Sequence, residues 1–133
     1  MRRLARGERG QSLVELALTL PVLLLLAALI VTLSLVGVAR LATENAASEA
    51  ARTLALTNDD ARAIATALSA AAPLRDDLID VRIDPAARSA RPRGALVRVV
   101  VGYRLSLPIA FAGFGDVRIE GIGVRRMEYL DVP

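Results

Sequence analysis

The sequence predicts an α+β protein: a long amino-terminal transmembrane helix that runs on into a small exported domain with one short helix and a three-stranded antiparallel sheet. Three observations predict it. Residues 16–39 form an uncharged aliphatic run. Residues 41–56 continue it as an alanine-rich stretch without Gly or Pro. Residues 79–127 contain three segments that alternate apolar and polar side chains, the mark of half-buried strands. The 133 residues suffice for one compact domain beside the anchor. They divide into a basic leader, 1–10, a transmembrane and projecting helix, 11–56, and an exported α+β domain, 57–133.

The leader holds Arg2, Arg3, Arg6 and Arg9 against Glu8, a balance of +3. The whole chain has 17 basic and 14 acidic residues, so residues 11–133 carry thirteen of each and sum to zero. A nucleic-acid partner requires a basic face on the folded part, and none is expected here. The chain has no His and no Cys, which removes the usual general base, the thiol nucleophile and the commonest metal ligands. Asp59-Asp60 and Asp76-Asp77 stand where carboxylates cap helix or turn amides. No catalytic, cofactor-binding or metal-binding residue, no enzyme activity and no small-molecule substrate are therefore expected.

The apolar run Leu16 to Ala39 contains ten Leu, four Val and one Ile. At a rise of about 1.5 Å per residue its length is roughly 36 Å, against a hydrocarbon core of ~30 Å. Those aliphatic residues alone favour insertion by about 5–9 kcal/mol. The arginine-rich side stays in the cytoplasm by the positive-inside rule, which places everything after Arg40 outside. A cleavable secretory signal ending at Gly37-Val38-Ala39 is the competing account, although its apolar core is ordinarily only about 7–15 residues. Alanine is the best helix former, so one continuous helix is expected from about Ser12 to Leu56. Pro21 cannot donate to the carbonyl of Ala17 and is expected to kink it.

Thr57-Asn58-Asp59-Asp60 breaks that helix and starts another, with Thr57 or Asn58 as the cap. Ala61, Ile64, Ala65, Leu68, Ala71 and Ala72 are expected on its buried face, and Pro73 ends it. Ile79, Val81 and Ile83 alternate with charges up to Pro85, a first strand. Pro85 to Gly94, with Arg88, Arg91 and Arg93, reads as a flexible, solvated loop. Ala95 to Leu107 is the strongest strand, with Val97, Val99, Val101, Tyr103 and Leu105 inward. The third strand, Val117 to about Met127, changes phase between Ile119 and Ile122; a β-bulge at Gly121 would keep both pairs on the core face, and a different strand boundary is the alternative. The apolar connection Pro108 to Gly115, with Phe111 and Phe114, is expected to fold back and close a small core; a docking surface for another subunit is the alternative.

The segment Arg9-Gly10-Gln11-Ser12-Leu13-Val14-Glu15-Leu16-Ala17-Leu18-Thr19-Leu20-Pro21 resembles the start of TadE-like pseudopilins of the tight-adherence pilus system, a branch of the type IV pilin-like proteins. A basic leader ending in glycine, a glutamate five residues on, a proline six further, a long aliphatic helix and a small β-containing domain extend the resemblance over nearly the whole chain. It implies a minor pilin or pseudopilin in the bacterial cytoplasmic membrane. A prepilin peptidase would cut between Gly10 and Gln11, and the partners would be other pilins and an assembly platform serving adhesion or secretion. Glu15 becomes the fifth mature residue and the charge partner for assembly. Gln11 departs from the aromatic or Met first residue of many type IV pilins, so methylation of the new terminus is not implied.

Independently of the name, a carboxylate at the inner edge of an apolar run needs a cation. A cut after Gly10 supplies one, because an α-amine with a pKa near 8 is mostly charged at neutral pH. Without a cut, Glu15 could snorkel to the interface as in many single-pass proteins. An uncleaved membrane protein with an extracytoplasmic binding domain, or a domain secreted after Ala39, are then the other readings.

Overall fold

The computed structural model describes residues 5–109 and 113–129. Helix α1 spans Ala5–Thr57 and runs without interruption through Pro21. It starts before the expected Ser12: Ala5, Arg6, Glu8, Arg9 and Gln11 are good helix formers, and the helix continues through Gly7 and Gly10. Its far end matches the expected Leu56 to within a residue. Asn58 there adopts φ 48° and donates its N–H to the Leu54 carbonyl at 2.8 Å, a left-handed helix stop with Asn in the usual place of Gly. The Ala55 carbonyl, left without a helical partner, accepts from the N–H groups of Glu128 and Tyr129.

Helix α2, Asp60–Ala70, is capped by Asp59, whose carboxylate accepts from the N–H groups of Ala61 and Arg62. The expected caps, Thr57 and Asn58, belong instead to the stop of α1. The buried face of α2 also differs from expectation: Ala63, Ala67 and Ala71 are buried, whereas Ile64 is 38% exposed and Ala61 and Ala65 face outward. The reason is steric. The part of α1 in the core shared with α2 and the sheet is itself alanine-rich, with Ala46, Ala47, Ala50 and Ala51 fully buried. Two alanine faces bring the helix axes close, and the larger Ile64 is left at the rim.

Strands β1 (Ile79–Asp84), β2 (Leu96–Ile109) and β3 (Gly113–Arg126) form an antiparallel sheet in the order β1-β2-β3. β1 alternates half-buried Ile79, Val81 and Ile83 with exposed charges, as expected. On β2, Val97, Val99, Val101 and Tyr103 are buried on the face toward α1, and Leu105 is half-buried. The β3 ladder runs in unbroken register from Leu96↔Arg126 to Ile109↔Gly113. There is accordingly no bulge at Gly121, and Ile122 and Val124 are not core residues: they are 58% and 45% exposed. The core face of β3 carries Ile119, Gly121 and Gly123. A Cβ on Gly121 would overlap the Thr43 carbonyl, and one on Gly123 the Ala47 carbonyl. The two glycines let the α1 backbone lie directly on the strand.

The Pro108 to Gly115 connection is largely strand, since Pro108 pairs with Phe114 and Ile109 with Gly113. Phe111 lies outside the described residues and the Phe114 side chain is not described, so the fold-back of the two rings falls outside them. The Pro85 to Gly94 loop is not merely solvated. It contains a short 3-10 turn at Arg88–Ala90, and Arg91 is fully buried. The Arg91 guanidinium donates to the Asp60 carboxylate and to the carbonyls of Pro85 and Ala86, and the Tyr129 hydroxyl donates to the Arg91 carbonyl.

Candidate functional site: the uncovered half of the long helix

Helix α1 is divided along its length and not around its circumference. From Ala39 to Ala55 its inward residues are buried beneath the sheet and α2. From Leu13 to Leu35 the large apolar side chains stand free, between 44% for Leu25 and 71% for Leu18. An 18-residue window of this half has a mean hydropathy of 2.9, and the helix is long and apolar enough to cross a membrane. A surface this apolar must be covered by lipid or by other apolar helices.

The polar groups within it are satisfied locally. The hydroxyls of Thr19, Thr32 and Ser34 each donate to the carbonyl four residues back, those of Glu15, Ala28 and Ile30, at 2.8–2.9 Å. Pro21 sits inside the helix and has no N–H for the Ala17 carbonyl. Glu15 is exposed and is the one charge between Leu13 and Ala39. Gly10 and Gln11 lie in the α1 backbone ahead of it. Because that backbone is helical from residue 11 to residue 15, those positions share a helix face, one turn apart. All four residues singled out in the sequence therefore lie on one element, at the end farthest from the folded domain.

A second polar cluster lies on the outer face of the sheet. Arg118 contacts Asp80 and Glu120, each at 2.8 Å, and Arg82 contacts Glu120 at 2.6 Å and Asp80 at 3.4 Å. Asp80 and Glu120 belong to the two outer strands but flank the same residue of β2, Gly102. Two strand spacings separate them by about 10 Å, and the missing side chain of Gly102 lets Arg118 lie across the gap. A Cβ there would come within 2.8 Å of its guanidinium. Hydrogen bonds to Glu120 and then Asp80 raise the Arg118 pKa further above its ordinary value. Arg82, Arg118, Asp80 and Glu120 each have opposite-charge partners within the cluster. It staples the sheet. Composition did not disclose it, because a glycine flanked by charges on neighbouring strands has no signature along the chain.

Residues 10–52 match the family model described as TadE-like protein. The match begins at Gly10, covers Gln11, Glu15 and Pro21, and ends within α1. No curated protein and no solved structure matches the chain.

Proposed function

We propose, from an amino-terminal helix that carries the TadE-like pattern, that the chain is a minor pilin or pseudopilin of the tight-adherence pilus system. It acts by assembly and not by turnover. A prepilin peptidase cuts between Gly10 and Gln11 at the cytoplasmic face of the membrane, and the remaining chain stays anchored by α1 with its α+β domain outside.

The observation that carries this reading is the placement of a single carboxylate, Glu15, on the otherwise uncharged, uncovered stretch of α1 from Leu13 to Val38. Glu15 stands one helical turn, about 6 Å, from the amine that a cut before Gln11 would create. The pair can close within one subunit. The same amine on a neighbour offset along the axis can meet Glu15 equally well, which ties charge neutralisation to subunit stacking. Loss of the leader also removes the +3 that holds the chain end at the cytoplasmic surface. The uncovered Leu and Val side chains can then exchange lipid for the helices of companion subunits without a change in their apolar surroundings.

Amino-terminal sequencing of the protein isolated from membranes tests the proposal. Gln11 is the expected first residue. An intact Met1 would identify an uncleaved single-pass protein, and Arg40 a secreted domain; either result defeats the assembly reading.

A further inference from the structure

The β2–β3 hairpin outruns both β1 and the helical core. β1 covers β2 only from Arg98 to Tyr103, whereas β2 and β3 stay paired out to Ile109↔Gly113. Three packing levels fix its direction. Gly123 lies over Ala47, Gly121 over Thr43, and Ile119 shares a cluster with Ala39. The hairpin therefore descends along α1 toward the apolar half of the helix.

Between Gly123 and Gly121 the strand advances about 6.7 Å and the helix about 6 Å, so the two run nearly parallel. Asp116 is three strand residues beyond Ile119, about 10 Å, which brings it level with roughly residue 33 of α1. From Glu15 to that level is about 27 Å of helix, close to the ~30 Å of a hydrocarbon core. The last charged rows of the hairpin, Arg104↔Arg118 and Ser106↔Asp116, thus fall at a membrane boundary. Beyond them the sequence from Leu107 to Gly115 has no charge. At this level Leu29 is 54%, Leu33 63% and Val117 41% exposed, while Leu107 is buried.

From this alignment we infer that the end of the β2–β3 hairpin enters the interfacial zone of the bilayer leaflet on the side of the α+β domain, as a second membrane contact beside α1. Its reach past Asp116, three residues or about 10 Å, matches the depth of interfacial elements, about 5–10 Å. Deeper entry is opposed by the outward N–H and C=O groups of two strands that lack further neighbours at this end. Pro108 removes one of those donors. Headgroups and their water satisfy the others, and Arg104, which has no acidic partner among the described residues, is placed to meet a lipid phosphate. Two contacts instead of one fix the tilt and the rotation of α1.

The inference rests on α1 crossing a membrane and not on cleavage at Gly10, and the test separates the two. The chain has no cysteine, so single-cysteine variants report without background. Ile109→Cys and Val117→Cys probe the hairpin, Leu26→Cys the anchor and Arg98→Cys the solvated sheet face. Each full-length variant is labelled with an environment-sensitive fluorophore and reconstituted into phosphatidylethanolamine–phosphatidylglycerol vesicles containing a lipid with a shallow nitroxide for the hairpin and sheet probes and, for the probe at 26, which lies near the bilayer midplane, a lipid with a nitroxide at the acyl-chain end. The probe at 109 is expected to be quenched by the nitroxide at least about threefold more than the probe at 98, with 117 between them. Equal quenching at 109 and 98, with strong quenching at 26, refutes the hairpin contact and leaves the anchor standing. Protection at 109 that appears only when companion pilins are added assigns the surface to protein and refutes it as well. An unquenched probe at 26 removes the anchor and the inference together.

Discussion

Arg91 is the largest fully buried side chain of the domain, although it belongs to a stretch whose composition is that of a solvated loop. Its planar fork serves three acceptors at once, Asp60 and two backbone carbonyls, a pattern that suits Arg and not Lys. Arg91→Met leaves those acceptors without a donor and is expected to lower the unfolding free energy by about 2–4 kcal/mol. Arg91→Lys should recover less than half of that loss, since a point charge cannot reach all three. Denaturant titration of the full chain in detergent measures both; a Lys variant as stable as the parent would refute the fork. Part of this was legible in the sequence. Asp59-Asp60 was recognisable as a helix start, and Asp59 is the cap. The partner of Asp60 was not legible, because it lies 31 residues away and only the closed fold brings it near.

At the scale of single elements, the errors share one cause. Periodicity weighs large apolar side chains, whereas the closest contacts in this fold are made by small ones. On β3 the alternation of Ile122 and Val124 suggested a core face, but the face that meets α1 carries Gly121 and Gly123. On α2 the Ile64 face was favoured over the alanine face that packs. Gly121→Ala is expected to destabilise by about 1–3 kcal/mol, as overpacking against an immovable helix backbone does. Ile122→Thr should stay within about 0.5 kcal/mol of the parent, as exposed substitutions do. Thermal unfolding in detergent ranks the two, and the reverse order would restore the bulged register. Where large side chains do make the core, in Val97, Val99 and Val101 of β2 and along β1, alternation predicted the face correctly.

For the whole molecule, the division of α1 into an uncovered half and a buried half decides what the protein can do. That division was readable in advance, because one stretch is leucine-rich and uncharged and the next is alanine-rich. The candidate site was readable for the same reason: Gly10, Gln11, Glu15 and Pro21 form a linear pattern on one helix and need no tertiary contact to come together. The course of the hairpin along the helix was not readable, since it depends on which strand docks on α1 and in which direction. Glu15→Val tests the site at this scale. It removes the one charge in the apolar half and is expected to leave membrane insertion intact while preventing incorporation into pili. Fractionation and immunodetection of sheared pili read the two effects, and normal piliation would dismiss the role given to Glu15.

The paired N–H groups of Glu128 and Tyr129 on the Ala55 carbonyl have a practical corollary. Ala55 lies sixteen residues beyond Ala39 on α1, about 24 Å farther from the apolar half of the helix, so the chain leaves the sheet at the end opposite that half. A fluorescent reporter or affinity handle spliced after Tyr129 would stand at that end, clear of the uncovered surface of α1.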